Sequence, residues 1–112
     1  MAMTLDEYQK EALVTALWSG EDLKDLSHWV LGITGEAGEI AEKVKKLIRD
    51  FDGKLDDEQK FELAKEMGDV MWYLAVLAEH LGYKFEAIGK MNIDKLRSRQ
   101  ARNKIQGSGD NR

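Results

Sequence analysis

The chain has 112 residues, a formal net charge of −4, no cysteine and no proline. This length suits a single domain, and the lack of cysteine excludes disulfides and thiolate metal sites. The acidic balance argues against a nucleic-acid polymer as partner, because proteins that bind such polymers carry basic surfaces. No stretch is long and apolar enough for a membrane helix, and no signal-peptide pattern opens the chain. We therefore expect a cytoplasmic protein with no membrane partner.

The first half of the chain predicts two helices. The lack of proline and the 34% of charged residues favour long, uninterrupted helices. Thr4 and Glu7 have capping-box spacing, which predicts a first helix over about residues 5–18. The segment 21–27 is polar, with Leu23 and Leu26 interleaved, and is predicted to be a connection that can include a helical turn. A second helix is expected from residue 27 or 28 to residue 50.

The third predicted helix has an unusual apolar stretch. Asp56 with Gln59 three residues later marks its start, and Gly82 marks its end. The run from Val70 to Ala78 is apolar on all sides, which in a soluble protein indicates burial on more than one face. A small monomer can rarely cover such a helix completely. We therefore expect a bundle that is completed by oligomerisation.

The end of the chain predicts one more helix and a tail. The fourth helix is expected over about residues 84–99, and residues 106–112 are polar and predicted to be mobile. The predicted fold class is all-α, with about four helices in one domain over residues 1–105.

Two short motifs on the second and third helices share one pattern of acid, any residue, glycine, acid and β-branched aliphatic residue. They are Glu36-Ala37-Gly38-Glu39-Ile40 and, thirty positions later, Glu66-Met67-Gly68-Asp69-Val70. Acids three apart on a helix share a face, so each copy directs two carboxylates to one side. A glycine at the same place in both copies predicts a close approach of the two backbones there.

The position of these acids predicts a metal site. At about 100° per residue, the first acid of each motif lies about 40° from the centre of its helix's apolar face. Carboxylates that converge there repel one another unless a cation pairs with them. All-oxygen sites suit Mg²⁺, Ca²⁺ or Mn²⁺ rather than zinc. The predicted metal ligands are Glu36, Glu39, Glu66 and Asp69. The alternative for any single acid is an ordinary solvated position on a helix.

Four further residues are candidates for binding a substrate. Lys43 follows Glu39 by four residues, which allows either an ordinary helical ion pair or a phosphate contact. Tyr73 leans toward the acidic side of its helix, where it either stacks on a base or fills the core. Asn92 and Lys95 share one face of the fourth helix and could both meet a phosphate chain.

These residues resemble the MazG-like nucleotide pyrophosphohydrolases of the all-α NTP pyrophosphatase class. The resemblance covers about residues 30–100. It rests on three stretches, Gly35-Glu36-Ala37-Gly38-Glu39-Ile40-Ala41-Glu42, Lys65-Glu66-Met67-Gly68-Asp69-Val70-Met71-Trp72-Tyr73-Leu74 and Asn92-Ile93-Asp94-Lys95-Leu96-Arg97. It implies an enzyme that uses Mg²⁺, with Mn²⁺ as a substitute, to cleave nucleoside triphosphates into monophosphates and pyrophosphate. It also implies a homodimer or a homotetramer.

The resemblance also implies roles for individual residues. The four acids of the two motifs would bind Mg²⁺, and Asn92 and Lys95 would lie near the triphosphate. The chemistry of the residues themselves is consistent with this reaction. Either Glu36 or Glu39 could orient the attacking water as general base, and the sequence does not decide between them; Lys95 and Lys43 could stabilise the leaving pyrophosphate. Two non-catalytic alternatives stay open: a nucleotide-binding sensor without turnover, and a helical interaction module whose acids are surface residues.

Overall fold

The computed structural model describes residues 2–17 and 23–112. They form α1 (Leu5–Val14), α2 (Leu23–Phe51), α3 (Asp57–His80) and α4 (Phe85–Ala101). These ranges contain no strand, so the predicted all-α fold is confirmed. Over the same ranges, no helix is long and apolar enough to cross a membrane.

The start of α1 follows the prediction, but its end does not. Glu7 N donates to Thr4 Oγ1 at 3.0 Å, and Thr4 N donates to the Glu7 carboxylate at 3.4 Å, which completes the capping box. The helix ends at Val14 because the amide and the hydroxyl of Thr15 both turn back to the Ala12 carbonyl. The predicted end of this helix lies outside the described residues.

The start of α2 also differs from the prediction. Residues 23–27 are helical, so the prediction of a connection over 21–27 was wrong for the part that the structure describes. Leu26 is half-buried, and Trp29, three residues later on the same face, is only 1% exposed. The packing of this apolar face outweighs the polar composition of the segment.

The third helix begins and ends close to the predicted positions. Gln59 N donates to Asp56 Oδ1 at 2.8 Å, and Asp56 N donates to Gln59 Oε1 at 2.9 Å. This helix is the centre of the fold, because α1, α2 and α4 all pack against it. The buried cluster consists of Ala12, Ala75, Ala78 and Phe85, with Tyr8, Met71, Trp72 and Ile88 packed around it.

Gln9 joins three helices inside this core. Its side chain is 4% exposed. Its Nε2 donates to the carbonyls of Ala75 and Tyr83, both at 3.1 Å, and its Oε1 accepts from Phe85 N at 3.0 Å. These bonds fix α1 against the end of α3 and the start of α4. A buried amide is tolerated here because both ends of it are hydrogen-bonded.

Gly32 of α2 lies directly against the ring of Tyr73 of α3. A Cβ atom at this position would lie 2.2 Å from Tyr73 Cε1, so the tyrosine ring occupies the space that a side chain would need. A Cβ atom at Gly38 or Gly68 would have nothing within 4 Å. The predicted close approach at the duplicated glycines was therefore wrong within the chain, because both lie on exposed sides of their helices.

Large apolar side chains remain exposed along α2 and α3. Examples are Leu31 (69% exposed), Ile48 (65%), Phe61 (62%) and Met67 (61%). Over the described residues, α2 packs against α3 and against no other helix. The radius of gyration is 16.9 Å, whereas a globular domain of this length has about 13 Å. The structure is therefore open on these faces, and oligomerisation stays a prediction.

Candidate metal centre

Three of the four predicted metal ligands converge between α2 and α3. One carboxylate oxygen from each of Glu36, Glu66 and Asp69 lies within 4.8 Å of the other two. We call these three residues the acidic cluster. Glu36 comes from α2, and the other two lie one turn apart on α3. Glu36 and Glu66 are half-buried and Asp69 is exposed, so the acidic cluster lies at the margin of the helix interface, open to solvent.

The electrostatics of the acidic cluster favour a cation. Burial raises the pKa of Glu36, and the negative charges of Asp69, Glu66 and Glu39 raise it further. The charged form of Glu36 is therefore poorly compensated in the protein alone. Three carboxylates that direct oxygens to one point are the donor set that Mg²⁺ and Mn²⁺ prefer. The residues present thus fit a hard divalent cation.

Glu39 lies beside the acidic cluster rather than in it. Its side chain is exposed, and its oxygens are not among those that converge within 4.8 Å. Its charge is still close enough to raise the pKa of Glu36. The role of Glu39 as a fourth metal ligand stays a prediction.

Lys43 contacts the acidic cluster from α2. Its Nζ lies 3.2 Å from Glu66 Oε1 and 3.4 Å from Glu62 Oε2. The hydrogen bond to Glu66 is the main cause of a raised pKa of Lys43. An ion pair with Glu39, which the spacing allows, is not formed among the described residues, because packing of α3 on α2 offers Lys43 two carboxylates at once. A contact between Lys43 and phosphate stays a prediction.

Tyr73 and Tyr8 have different surroundings. Tyr73 lies over Gly32 and edge-on to Trp72, with ring centroids 4.9 Å apart, so it fills the interface between α2 and α3. Base stacking by Tyr73 stays a prediction. Burial and, to a smaller extent, the charge of Asp69 raise the pKa of Tyr8 on α1. The sequence pattern shows Tyr8 only as part of an apolar stripe and gives no sign of this interaction.

Asn92 and Lys95 lie on one face of α4, as predicted. They line a surface pocket of about 380 Å³ together with Ile88, Met91 and Asp110. Over the described residues, α4 packs against α1 and α3 but not against α2. Asn92 and Lys95 therefore lie on a helix that does not pack against α2, the helix that carries Glu36.

A second pocket, of about 480 Å³, lies where α2 meets the start of α3. It is lined by Lys43, Lys46, Leu47, Phe51, Asp56, Glu58, Gln59, Glu62 and Leu63. None of the three residues of the acidic cluster lines this second pocket. Lys43 lines it and also contacts Glu66 of the acidic cluster, so its side chain lies between the pocket and the cluster.

Comparison with known proteins gives one family. The MazG nucleotide pyrophosphohydrolase domain matches residues 25–102. The chain is 46% identical over 114 residues to the Gene 37 protein of Mycobacterium phage L5, a match that covers 98% of this chain and 100% of that protein. It is 39% identical over 69 residues to the uncharacterized protein YvdC of Bacillus subtilis (strain 168), covering 57% of this chain and 65% of that protein. No solved structure gives a significant match. The range that the domain matches includes the whole acidic cluster and the Asn92–Lys95 face, and the chain belongs to the MazG nucleotide pyrophosphohydrolase domain family.

Proposed function

We propose that the chain is a nucleoside triphosphate pyrophosphohydrolase that depends on Mg²⁺, with Mn²⁺ as a substitute. Its substrates are ribo- or deoxyribonucleoside triphosphates, and its products are a nucleoside monophosphate and pyrophosphate. The observation that carries this proposal is the convergence of Glu36, Glu66 and Asp69 from two helices. Membership of the family supports the reaction class.

Glu36, Glu66 and Asp69 would hold the cation. When bound, Mg²⁺ supplies charge neutralisation at phosphate oxygens and lowers the pKa of a water molecule. The open, exposed side of the acidic cluster at Asp69 leaves room for a substrate. The half-buried side at Glu36 and Glu66 keeps the carboxylates in place through the packing of α2 on α3.

Glu39 is our choice for the general base. It lies one turn from Glu36 on the same helix, is exposed, and has oxygens outside the converging group. Its carboxylate is thus available to accept a proton from the attacking water. Glu36, the other residue considered for this role, already directs its carboxylate into the acidic cluster.

The cationic and amide side chains would bind the phosphate chain. Asn92 and Lys95 present a donor face on α4, and Lys43 stands beside Glu66. A lysine ammonium stabilises the negative charge that develops on a leaving pyrophosphate. Tyr73 is the candidate for contact with the base.

We also propose a homodimer or a homotetramer as the active species, located in the cytoplasm. Exposed apolar residues of α2 and α3 lack a covering helix in the described part of the chain. Burial of such surface between subunits is favourable. A second subunit would also bring further residues to the open side of the acidic cluster.

A substrate panel tests the function. Ribo- and deoxyribonucleoside triphosphates are incubated with the protein, with and without Mg²⁺, and pyrophosphate release is measured. The proposal predicts release that requires the cation. Nucleotide binding without release would identify a sensor, and neither binding nor release would identify a helical interaction module.

A further inference from the structure

The start of α4 is capped by another helix. Within the described part of the chain, the N-cap residue Lys84 makes no side-chain hydrogen bond to this helix start. Two acceptors come instead from α1. Glu86 N donates to Asp6 Oδ1 at 2.9 Å, and Phe85 N donates to Gln9 Oε1 at 3.0 Å. The first turn of α4 thus depends on α1 for amide bonds that its own residues do not supply.

The contact at Asp6 is that of a charged cap. The hydrogen bond from the Glu86 amide is the main cause that lowers the pKa of Asp6. A carboxylate at the N-terminus of a helix also interacts favourably with the helix dipole. Asp6 therefore has the role for α4 that an N-cap residue normally has for its own helix.

The first turn of α1 also packs on the first turns of α4. The rings of Tyr8 and Phe85 have centroids 6.2 Å apart. A Cβ atom at Gly89 would lie 3.6 Å from Leu5 Cδ1, which is ordinary van der Waals distance. The two helices are thus held together by apolar contacts on both sides of the two hydrogen bonds.

Gln9 extends this link to α3. Its Nε2 donates to the Ala75 carbonyl at 3.1 Å while its Oε1 accepts from Phe85 N. Ala75 follows Asp69 by six residues, or about 9 Å along the axis of α3. One buried amide therefore joins the first residue of α4 to the helix that carries Glu66 and Asp69.

Small changes at the start of α4 are amplified along its length. Over the described residues, α4 packs against α1 and α3 but not against α2. Lys95 follows Phe85 by ten residues, or about 15 Å of helix, so a tilt of about 5° at the start moves Lys95 by about 1.3 Å. A misplacement of about 1 Å in an active site can cost about 10²-fold in rate.

We propose that Asp6 and Gln9 are positioning residues, which hold α4 at the angle at which Asn92 and Lys95 reach the phosphate chain of a substrate at the acidic cluster. Neither Asp6 nor Gln9 needs to touch the substrate, because both act through α4. The role of Asn92 and Lys95 at phosphate rests on the proposed function. The placing of α4 by α1 is measurable without any turnover.

A distance between spin labels measures the placing of α4. The chain has no cysteine, so cysteines introduced at Lys60 and Gln100 carry the only labels. Both positions are exposed, the first at the start of α3 and the second near the end of α4. Pulsed electron paramagnetic resonance gives the distance distribution, in samples diluted with unlabelled protein so that pairs within one chain dominate.

Three substitutions are compared in this labelled protein. Asp6→Ala removes the acceptor of the Glu86 amide, whereas Asp6→Asn keeps an acceptor oxygen at the same place. Asp57→Ala is the control, because it removes an exposed acid from the first turn of a different helix, α3. We expect Asp6→Ala to shift or broaden the distribution by about 2 Å, which corresponds to a tilt of about 5° over the length of α4. Asp6→Asn and Asp57→Ala should give the wild-type distribution.

Steady-state kinetics separates positioning from a general loss of stability. Asp6→Ala should lower kcat/KM for pyrophosphate release about three- to tenfold. Its Mn²⁺ affinity should stay at the wild-type level, because the acidic cluster lies between α2 and α3. In a Lys95→Ala background, Asp6→Ala should cost a clearly smaller factor, since two changes that act through one side chain are not additive. Gln9→Met removes three buried hydrogen bonds at once and can prevent folding, so Asp6 decides the test.

Two results overturn the proposal. One is an Asp6→Ala distance distribution equal to that of the wild type, and the other is an equal loss of kcat/KM with and without Lys95. These results are separable from a failure of the proposed function. A wild type that releases no pyrophosphate rejects the enzyme, and the label distances then decide whether α1 holds α4. Release by the wild type with unchanged distances in Asp6→Ala rejects the positioning role alone.

Discussion

At the residue scale, Lys43 is a cation in direct contact with the acidic cluster, through Glu66. Its Nζ lies 3.2 Å from Glu66, so it offsets part of the negative charge that the three carboxylates bring together. If the acidic cluster holds the proposed cation, that cation and the Lys43 ammonium group would both interact with the Glu66 carboxylate. Under the proposed function, Lys43 would therefore compete with the metal at Glu66, in addition to its predicted role at phosphate.

Replacing Lys43 by glutamine should strengthen metal binding. The change removes a positive charge beside Glu66, and an ion pair at a partly exposed site such as this one is worth about 1 kcal/mol, so the Mn²⁺ dissociation constant should fall by roughly three- to fivefold. Lys46→Gln is the control, because Lys46 lies 4.0 Å from Glu42 rather than beside the acidic cluster. Titration of each protein with Mn²⁺ in the absence of nucleotide measures the difference. Equal affinities of the two variants would show that Lys43 does not act on the site.

Glu36 gives the metal-free protein a pH dependence. Its raised pKa means that the folded state holds this proton more tightly than the unfolded state does. The charged form therefore costs stability above the raised pKa, and that cost disappears as the pH falls toward the ordinary glutamate value of about 4.3. In chelator, Glu36→Gln should be more stable than the wild type at pH 7, and the difference should shrink as the pH is lowered through this window. Urea unfolding at several pH values measures it, and a pH-independent difference would contradict the account.

At the element scale, α2 and α3 are held in register by Gly32 and Tyr73. The ring of Tyr73 occupies the space above Gly32, and its neighbours include Trp29 and Trp72. This contact lies on the N-terminal side of Glu36 in α2 and on the C-terminal side of Asp69 in α3. It therefore fixes the level at which the carboxylates of the two helices meet.

Two glycine substitutions separate this contact from the exposed glycines. Gly32→Ala would place a Cβ atom 2.2 Å from Tyr73 Cε1, and such overpacking typically costs about 1–3 kcal/mol. Gly38→Ala meets nothing within 4 Å, so its better helix propensity should stabilise the chain by about 0.5–1 kcal/mol. Denaturant unfolding of both variants measures these opposite signs. A destabilised Gly38→Ala would indicate that another subunit approaches this glycine.

Much of this level of structure follows from local signals in the sequence. The start of α3 was predicted from Asp56 and Gln59 because a capping box is a contact between neighbours in the chain. The convergence of Glu36 with Glu66 and Asp69 was predicted because helical periodicity fixes which face each acid occupies. Spacing along the chain decides the cap and the face on which each acid lies, whereas the level at which the two helices bring the acids together depends on their packing.

Long-range contacts account for what the sequence did not predict. In the sequence, Gln9 is only one polar residue of an amphipathic helix. Its three hydrogen bonds form only when α3 and α4 pack against α1. The glycine that α3 approaches is Gly32 rather than a member of the duplicated motif, because a large ring at position 73 decides where space is needed. Lys43 of α2 pairs with Glu62 and Glu66 of α3, and these ion pairs likewise form only when the two helices pack together.

At the scale of the whole molecule, the exposed apolar faces of α2 and α3 lead to a test of assembly. A radius of gyration of 16.9 Å is larger than a compact domain of this length requires. If subunits cover these faces, the melting temperature should rise with protein concentration, and light scattering should give the mass of a dimer or a tetramer at micromolar concentration. A monomer of unchanged melting temperature over the same concentrations would contradict the proposed oligomer.

The central claim is that the acidic cluster holds the cation on which turnover depends. Asp69→Asn keeps the size of the side chain but removes one negative charge from this group of three. Glu42→Gln is the control, because Glu42 pairs with Lys45 at 3.0 Å and lies outside the acidic cluster. Circular dichroism of both variants is the check that they fold.

The most direct measurement is Mg²⁺-dependent pyrophosphate release by the wild type, Asp69→Asn and Glu42→Gln, with Mn²⁺ affinity determined on the same samples. Removing one group that stabilises charge in a preorganised site typically costs roughly 10²–10³ in rate, and we expect a loss of at least this order here. We expect metal affinity and turnover to fall together in Asp69→Asn, and both to stay at the wild-type level in Glu42→Gln. Wild-type turnover by a folded Asp69→Asn would contradict the account.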